Sequence, residues 1–242
     1  LYKLDPDTIK IARAREVMEY QMSTSKLDYW HWVDALYMVM PVMVKMYDIT
    51  KNPLYLEKLH QYLTVTDSIM YDREVGLYYR DAKYPYPFHK TINGKKDFWS
   101  RGDGWAFAAF AKVLKQLPAE DKYREEYITR FQTMAKSIAA CQQPEGYWTR
   151  SLIDPEQAPG PETSGTALFT YGFLWGINNG LLNADIYSPI VEKAWNYLKT
   201  TALQADGKIG YIQPVGEKAI PGQVVDANSC FNFGIGAFLL AA

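Results

Sequence analysis

Trp30-His-Trp-Val-Asp-Ala-Leu-Tyr-Met-Val-Met-Pro-Val-Met-Val-Lys-Met-Tyr47 is the stretch on which the fold turns. It is apolar on nearly every side, so a helix built from it is buried on most faces. Pro41 costs it one backbone hydrogen bond or a kink. Asn52-Pro53 then opens a helix of another kind, with Leu56, Leu59, Leu63, Val65 and Ile69 along one face only. The pair repeats. Nearly all-apolar helices start at about 30, 100, 163 and 230, and amphipathic ones at about 53, 120 and 187. Asp7 caps an earlier helix to about Gln21, and Ser100 is expected to cap the one that runs to about Gln116.

The loops repeat as well. Glu74-Val-Gly-Leu-Tyr-Tyr-Arg80, Glu145-Gly-Tyr-Trp-Thr-Arg150 and Asp206-Gly-Lys-Ile-Gly-Tyr-Ile-Gln213 each follow an amphipathic helix. Each carries an acid near a glycine, then aromatics, then a long polar side chain. Self-similarity at a fixed period marks a helical array. Helices buried all round inside helices buried on one face describe an all-α double ring, an (α/α) toroid. A linear solenoid is the alternative, and it leaves one face of the apolar helices wet. The whole chain, 1–242, reads as a single such domain.

Composition narrows the function. With 26 basic and 27 acidic side chains the net charge is −1, which offers no surface for a run of phosphates, so nucleic acid is not an expected partner. No apolar run approaches the roughly 18 residues that span a bilayer, so no membrane partner is expected. Cys141 and Cys230 cannot make a disulfide framework or a zinc site by themselves. Metal, phosphate-loop and serine-nucleophile motifs are missing, and neither metal nor cofactor is expected. Aromatics reach 15%, many of them beside polar residues. That mixture suits hydroxylated ligands such as sugars, although Tyr and Trp also fill ordinary cores.

In a double ring, the long loops leading to the inner helices gather at one rim. Asp34 there is either a paired core carboxylate or one facing a polar cavity beside Trp30 and His31, where burial would fit it for acid work. Asp103 reads as a helix-start carboxylate or a second acid. Arg101 has the planar fork that suits a carboxylate, or pairs with Asp97 or Asp103. Trp99 and Trp105 either wall a sugar or pack inside, and Trp148 stands in the repeated loop. Glu162 caps a helix or faces the site. His89, in Tyr84-Pro-Tyr-Pro-Phe-His-Lys90, is a wall of the site or a solvated loop residue. His60, on an amphipathic helix, reads as structural.

Five stretches resemble the unsaturated rhamnogalacturonyl hydrolases of glycoside hydrolase family 105 and the related unsaturated glucuronyl hydrolases of family 88. They are Trp30-His-Trp-Val-Asp-Ala-Leu-Tyr-Met38, Phe98-Trp-Ser-Arg-Gly-Asp-Gly-Trp105, Pro161-Glu-Thr-Ser-Gly-Thr-Ala167, Trp175-Gly-Ile-Asn-Asn-Gly-Leu181 and Gly234-Ile-Gly-Ala-Phe-Leu-Leu240, in that order. The resemblance implies a six-hairpin α/α barrel and removal of a 4,5-unsaturated uronic acid from the oligosaccharides that polysaccharide lyases release. It implies protonation of the C4=C5 enol ether by an Asp, with Asp34 on the matching position. For a second Asp it points to the segment around the Trp-x-Arg helix, where Asp103 is preferred over Asp97 and Asp81. Arg101 is our own candidate for the uronate. The contrasting expectation is a non-catalytic or degenerate carbohydrate-binding barrel. The resemblance also implies twelve helices where about eight are visible. With Leu1 in place of a start methionine, the expectation is that roughly the first third of the barrel lies outside this sequence. The expected setting is the cytoplasm or periplasm of a bacterium.

Overall fold

The computed structural model describes residues 5–216 and 218–242; Leu1 lies outside them. Eight α-helices are found among the described residues: α1 Ala12–Ser23, α2 Asp34–Thr50, α3 Leu54–Met70, α4 Ser100–Leu114, α5 Arg124–Ala139, α6 Thr163–Asn178, α7 Ala184–Tyr197 and α8 Asn232–Ala241. A two-stranded antiparallel hairpin, β1 Tyr71–Asp72 and β2 Leu77–Tyr78, follows α3. A short π-helical stretch, Leu198–Ala202, prolongs α7. None of the described helices is long and apolar enough to cross a membrane.

The all-apolar helices form the inner row. α2 packs on α4, α4 on α6, and α6 on α8. The amphipathic helices lie outside, each against the inner helix that precedes it: α3 on α2, α5 on α4, α7 on α6. Burial follows the composition. Of the residues of α4, all but Lys112 are buried. On α5 the buried set is Tyr127, Arg130, Phe131, Met134, Ala135 and Ile138, one helical face. Close approach of α4 and α6 requires glycine. A Cβ on Gly172 would stand 2.4 Å from the Phe107 ring, and one on Gly165 would stand 2.9 Å from Ser100 Oγ. At the two ends of the inner row, Met38 on α2 and Leu239 on α8 are exposed at 53% and 68%.

The repeated loops explain where the inner helices begin. Each loop crosses back to the start of an earlier inner helix and pairs with it through the backbone. Val33 N–H donates to Arg80 O (2.8 Å), Ser100 N–H to Arg150 O (2.9 Å), and Thr163 N–H to Tyr211 O (2.9 Å). Helix termini leave N–H groups without intrahelical partners, and these carbonyls take one at the starts of α2, α4 and α6. This pairing corrects two boundaries. Trp30–Val33 does not belong to α2; Trp32 bridges Asp81 in an extended segment, and the helix starts at Asp34. Ser100 is the first residue of α4 rather than its cap, and its buried Oγ has no hydrogen-bond partner among the described residues. At α6 the cap is Glu162, which accepts from Ser164 N–H and Gly165 N–H.

Candidate active site

Two of these anchored starts, those of α2 and α4, meet the start of α8 in one hollow of about 190 Å³. Asp34, the first residue of α2, supplies its carboxylate. Met38 stands one turn further along. Trp99, Arg101 and Trp105 come from the start of α4, Phe233 from the start of α8, and Val215 with Gly216 from the loop between α7 and α8.

Asp34 is half-buried, and its Oδ2 has no hydrogen-bond partner among the described residues. Burial raises its pKa above the ordinary carboxylate value. Its own backbone N–H and the charges of Arg80 and Arg101 pull the other way and do not cancel the burial. No cation sits within ion-pair distance of it among the described residues. This is a carboxyl poised to hold a proton beside a water-accessible space.

Arg101 is built in from four sides. Its guanidinium lies 4.5 Å from the Trp99 ring centroid and 4.7 Å from that of Phe233, a sandwich of two aromatic faces. Nη1 donates to Gln213 O (2.7 Å) and Nη2 to Pro214 O (2.8 Å), so the planar fork grips the loop that carries Val215. A longer bond reaches Ser164 Oγ, and Glu162 Oε1 stands 3.7 Å away. Three of the five N–H donors are spoken for. Trp99 is fixed by its Nε1–H bond to Gln213 Oε1 (2.8 Å), while Trp105 leans its ring on Tyr37 at 4.6 Å.

The remaining expected site residues separate from this group. Trp30 is a correction: it is 2% exposed, packed on Tyr62 at 5.2 Å, and its carbonyl accepts from the Thr66 hydroxyl. Trp148 is another, fully buried with its Nε1–H on Ile138 O (2.7 Å). Both fill the core between inner and outer helices. Asp103 is the third. Residues two apart on a helix do not share a face, so with Arg101 at the hollow Asp103 turns away from it. It is fully buried beneath the β-hairpin, where Oδ1 accepts Tyr78 N–H (2.8 Å) and Oδ2 has no partner among the described residues. Asp97 binds His89 Nε2 (2.7 Å), and Asp81 binds Arg80. Among the described residues lining the hollow, Asp34 is thus the one carboxylate. Glu162 lies behind Arg101 as the cap of α6 and is fully buried. His89, held by Asp97, is not among the residues lining the hollow, and His31 lines an adjoining pocket.

Sequence reasoning missed Phe233, Met38 and the Val215–Gly216 lip, all apolar or featureless in the chain. It also missed Gln213, which is fully buried. That residue binds Trp99 and sends its Nε2–H to Lys218 O and Gln223 Oε1, while its own N–H goes to Glu162 Oε1. The signal was available: Gln213 is the long polar residue that ends the third repeated loop. In the second loop the same position is Arg150, which binds Gln223 O and Pro159 O.

An acid facing aromatic walls at the mouth of paired helices defines an α/α toroid of the carbohydrate-active kind. Residues 1–242 match the profile of Glycosyl Hydrolase Family 88, and the chain belongs to that family. It is 37% identical over 223 residues to an unsaturated 3S-rhamnoglycuronyl hydrolase of Formosa agariphila, a match covering 90% of this chain and 58% of that relative's length. A solved structure described as a polysaccharide lyase is 75% identical, with a TM-score of 0.97, and is matched over 100% of this chain and 68% of its own. A possible family 105 member from Klebsiella pneumoniae shares the fold at 19% identity and a TM-score of 0.82, over 99% of this chain and 66% of its own. The helical hairpins here are those of the six-hairpin toroid, which decides between toroid and solenoid.

Proposed function

We propose that this chain carries the acid site of a glycoside hydrolase that removes a 4,5-unsaturated uronic acid from the end of an oligosaccharide. The observation that carries the reading is Asp34: a carboxyl with a raised pKa and no ion pair among the described residues, in the same hollow as Trp99, Arg101 and Trp105. Asp34 delivers its proton to C4 of the enol ether, leaving positive charge at C5 and the ring oxygen. Water adds at C5, and the carboxylate left on Asp34 takes its proton. The hemiketal so formed opens, and the glycosidic bond breaks with it. One carboxyl serves as acid and then as base, in contrast to the paired carboxylates of ordinary glycosidases. Trp99 and Trp105 offer flat faces to the sugar. The donors of Arg101 not used on the loop suit the uronate. The 37% identical relative, a hydrolase of unsaturated glycuronyl groups by name, supports this reading.

The second reading is a lyase, favoured by the description of the 75% identical structure. A lyase needs a base that removes the C5 proton, a role Asp34 takes only when ionised, whereas the hydrolysis starts from its protonated form. The two are told apart by the sign of one signal. A hydrolase consumes the ultraviolet absorbance of a Δ4,5-unsaturated disaccharide, whereas a lyase creates it from the saturated polysaccharide. Loss of absorbance that Asp34→Asn abolishes supports the hydrolase. A gain from the polymer, or binding without any change, overturns it.

A further inference from the structure

Two carboxyl groups act on Arg101, and they are held in opposite ways. Asp34 shares the hollow with the guanidinium, yet no ion pair joins them among the described residues, and its Oδ2 has no hydrogen-bond partner there. Glu162 stands outside the lining of the hollow, fully buried at the start of α6, with Oε1 3.7 Å from Arg101 Nη1. Each of its contacts is with a donor. Oε1 accepts Ser164 N–H (3.2 Å), Ser164 O–H (2.7 Å) and Gln213 N–H (3.0 Å), while Oε2 accepts Gly165 N–H (2.7 Å). That is the setting of an ionised carboxylate, which only accepts.

These contacts close into a circuit. Arg101 Nη1 donates to Gln213 O (2.7 Å) and to Ser164 Oγ (3.3 Å), and both residues are themselves bound to Glu162. One carboxylate thus fixes both acceptors of Nη1 and faces its charge. Glu162 also does more than Asp34 to keep the buried guanidinium charged. A cation already matched by one carboxylate draws a second one less strongly. Without Glu162, the full charge of Arg101 would fall on Asp34 and favour its ionised form. The other groups in play are Arg80, which acts on Asp34, and Arg150 and the Tyr197 phenol, which feel Glu162.

We propose that Glu162 is a positioning residue for the hydrolysis, which seats the Arg101 guanidinium and offsets its charge toward Asp34. The inference rests on the hydrolase reading for the role of the Asp34 proton. The test compares the wild type with Glu162→Asp, which draws the carboxylate back by one methylene, and with Glu162→Gln, which removes its charge. The kcat–pH profile is measured on a Δ4,5-unsaturated disaccharide. The falling limb should move to lower pH, by about 0.5 unit or more in Glu162→Gln and by less in Glu162→Asp. In an Arg101→Gln background, Glu162→Gln should move the limb by less than about half as much. A helix cap and nothing more would cost stability or kcat and leave the limb where it is. An unmoved limb, a move to higher pH, or an undiminished move in the Arg101→Gln background overturns the proposal. If Glu162→Gln does not fold, Glu162→Asp decides by the same sign. If the wild type turns nothing over, the hydrolase reading fails separately. The carboxyl carbon resonance of Asp34, assigned with Asp34→Asn, is then titrated by NMR in the same variants. A midpoint moved to lower pH supports the offset by Glu162; an unmoved midpoint overturns it.

Discussion

Asp34 and Asp103 show how one side-chain type acquires two characters. Both are raised above the ordinary carboxylate pKa, chiefly by burial. Asp34 borders a hollow, so its proton can reach a substrate. Its protonated form is the active one, so turnover should be retained below the raised pKa and fall as pH climbs through it. Arg101 lowers that pKa, so Arg101→Gln should move the falling limb of the kcat profile to higher pH. Asp34→Asn should cost roughly 10²–10⁴-fold in kcat with the folded structure kept, as circular dichroism would show. Asp103 borders nothing. Burial lifts its native pKa well above the ordinary carboxylate value, so the native state holds the proton longer than the unfolded chain does. Between those two values stability falls as pH rises. Asp103→Asn keeps the acceptor for Tyr78 N–H and abolishes that fall. Its melting temperature should therefore gain on the wild type as pH rises from about 4, and a constant gap between the two would refute the assignment.

Among the elements, the inner helix starts bear most of the specification. Glu162 takes two N–H groups of its own helix and one from Gln213 in a distant loop. Glu162→Ala should cost about 1–3 kcal/mol in a denaturant titration, and Glu162→Gln less, because it keeps an acceptor oxygen. The α4–α6 contact makes a separate demand. Gly172→Ala drives a methyl into Phe107 and should cost about 1–3 kcal/mol, or a few degrees in melting temperature for each. These elements also show what the chain discloses. The alternation of all-apolar and one-faced helices announced the double ring, because a helix buried all round carries few polar side chains along its length. Thr163–Asn178 lies where its small apolar run places it. The start of α2 was misread, because Trp30–Val33 is as apolar as the helix it precedes and only pairing with Arg80–Asp81 holds it extended. At the site, Asp34, Trp99, Arg101 and Trp105 were visible because a charge or an indole stands out at the start of an otherwise apolar helix. Phe233 and Met38 were hidden, because an apolar wall and an apolar core read alike until the backbone says which way each faces.

For the molecule as a whole, two buried glutamines unite loops far apart in sequence. Gln213 joins Trp99 to the segment 213–223, and Gln157 joins Ile92 N–H and Asp97 to Ala219 O. The rim should therefore loosen as a unit. Gln213→Ala removes the partner of the Trp99 indole N–H. It should speed hydrogen exchange both around 98–101 and across 211–224, leaving the amides of α5 unchanged; acceleration confined to the second segment would show that the loops act separately.

The doubled duty of the guanidinium at position 101 limits what that position can become. It fastens the lip of the hollow through two carbonyls while it rests between two rings, and both tasks depend on a flat, forked cation. An ammonium carries the same charge but is round, strongly hydrated and bound through a single point. Lysine there would let go of the lip and slide from between the rings together. Conservation of charge alone would therefore preserve neither the door nor the hinge on which it hangs.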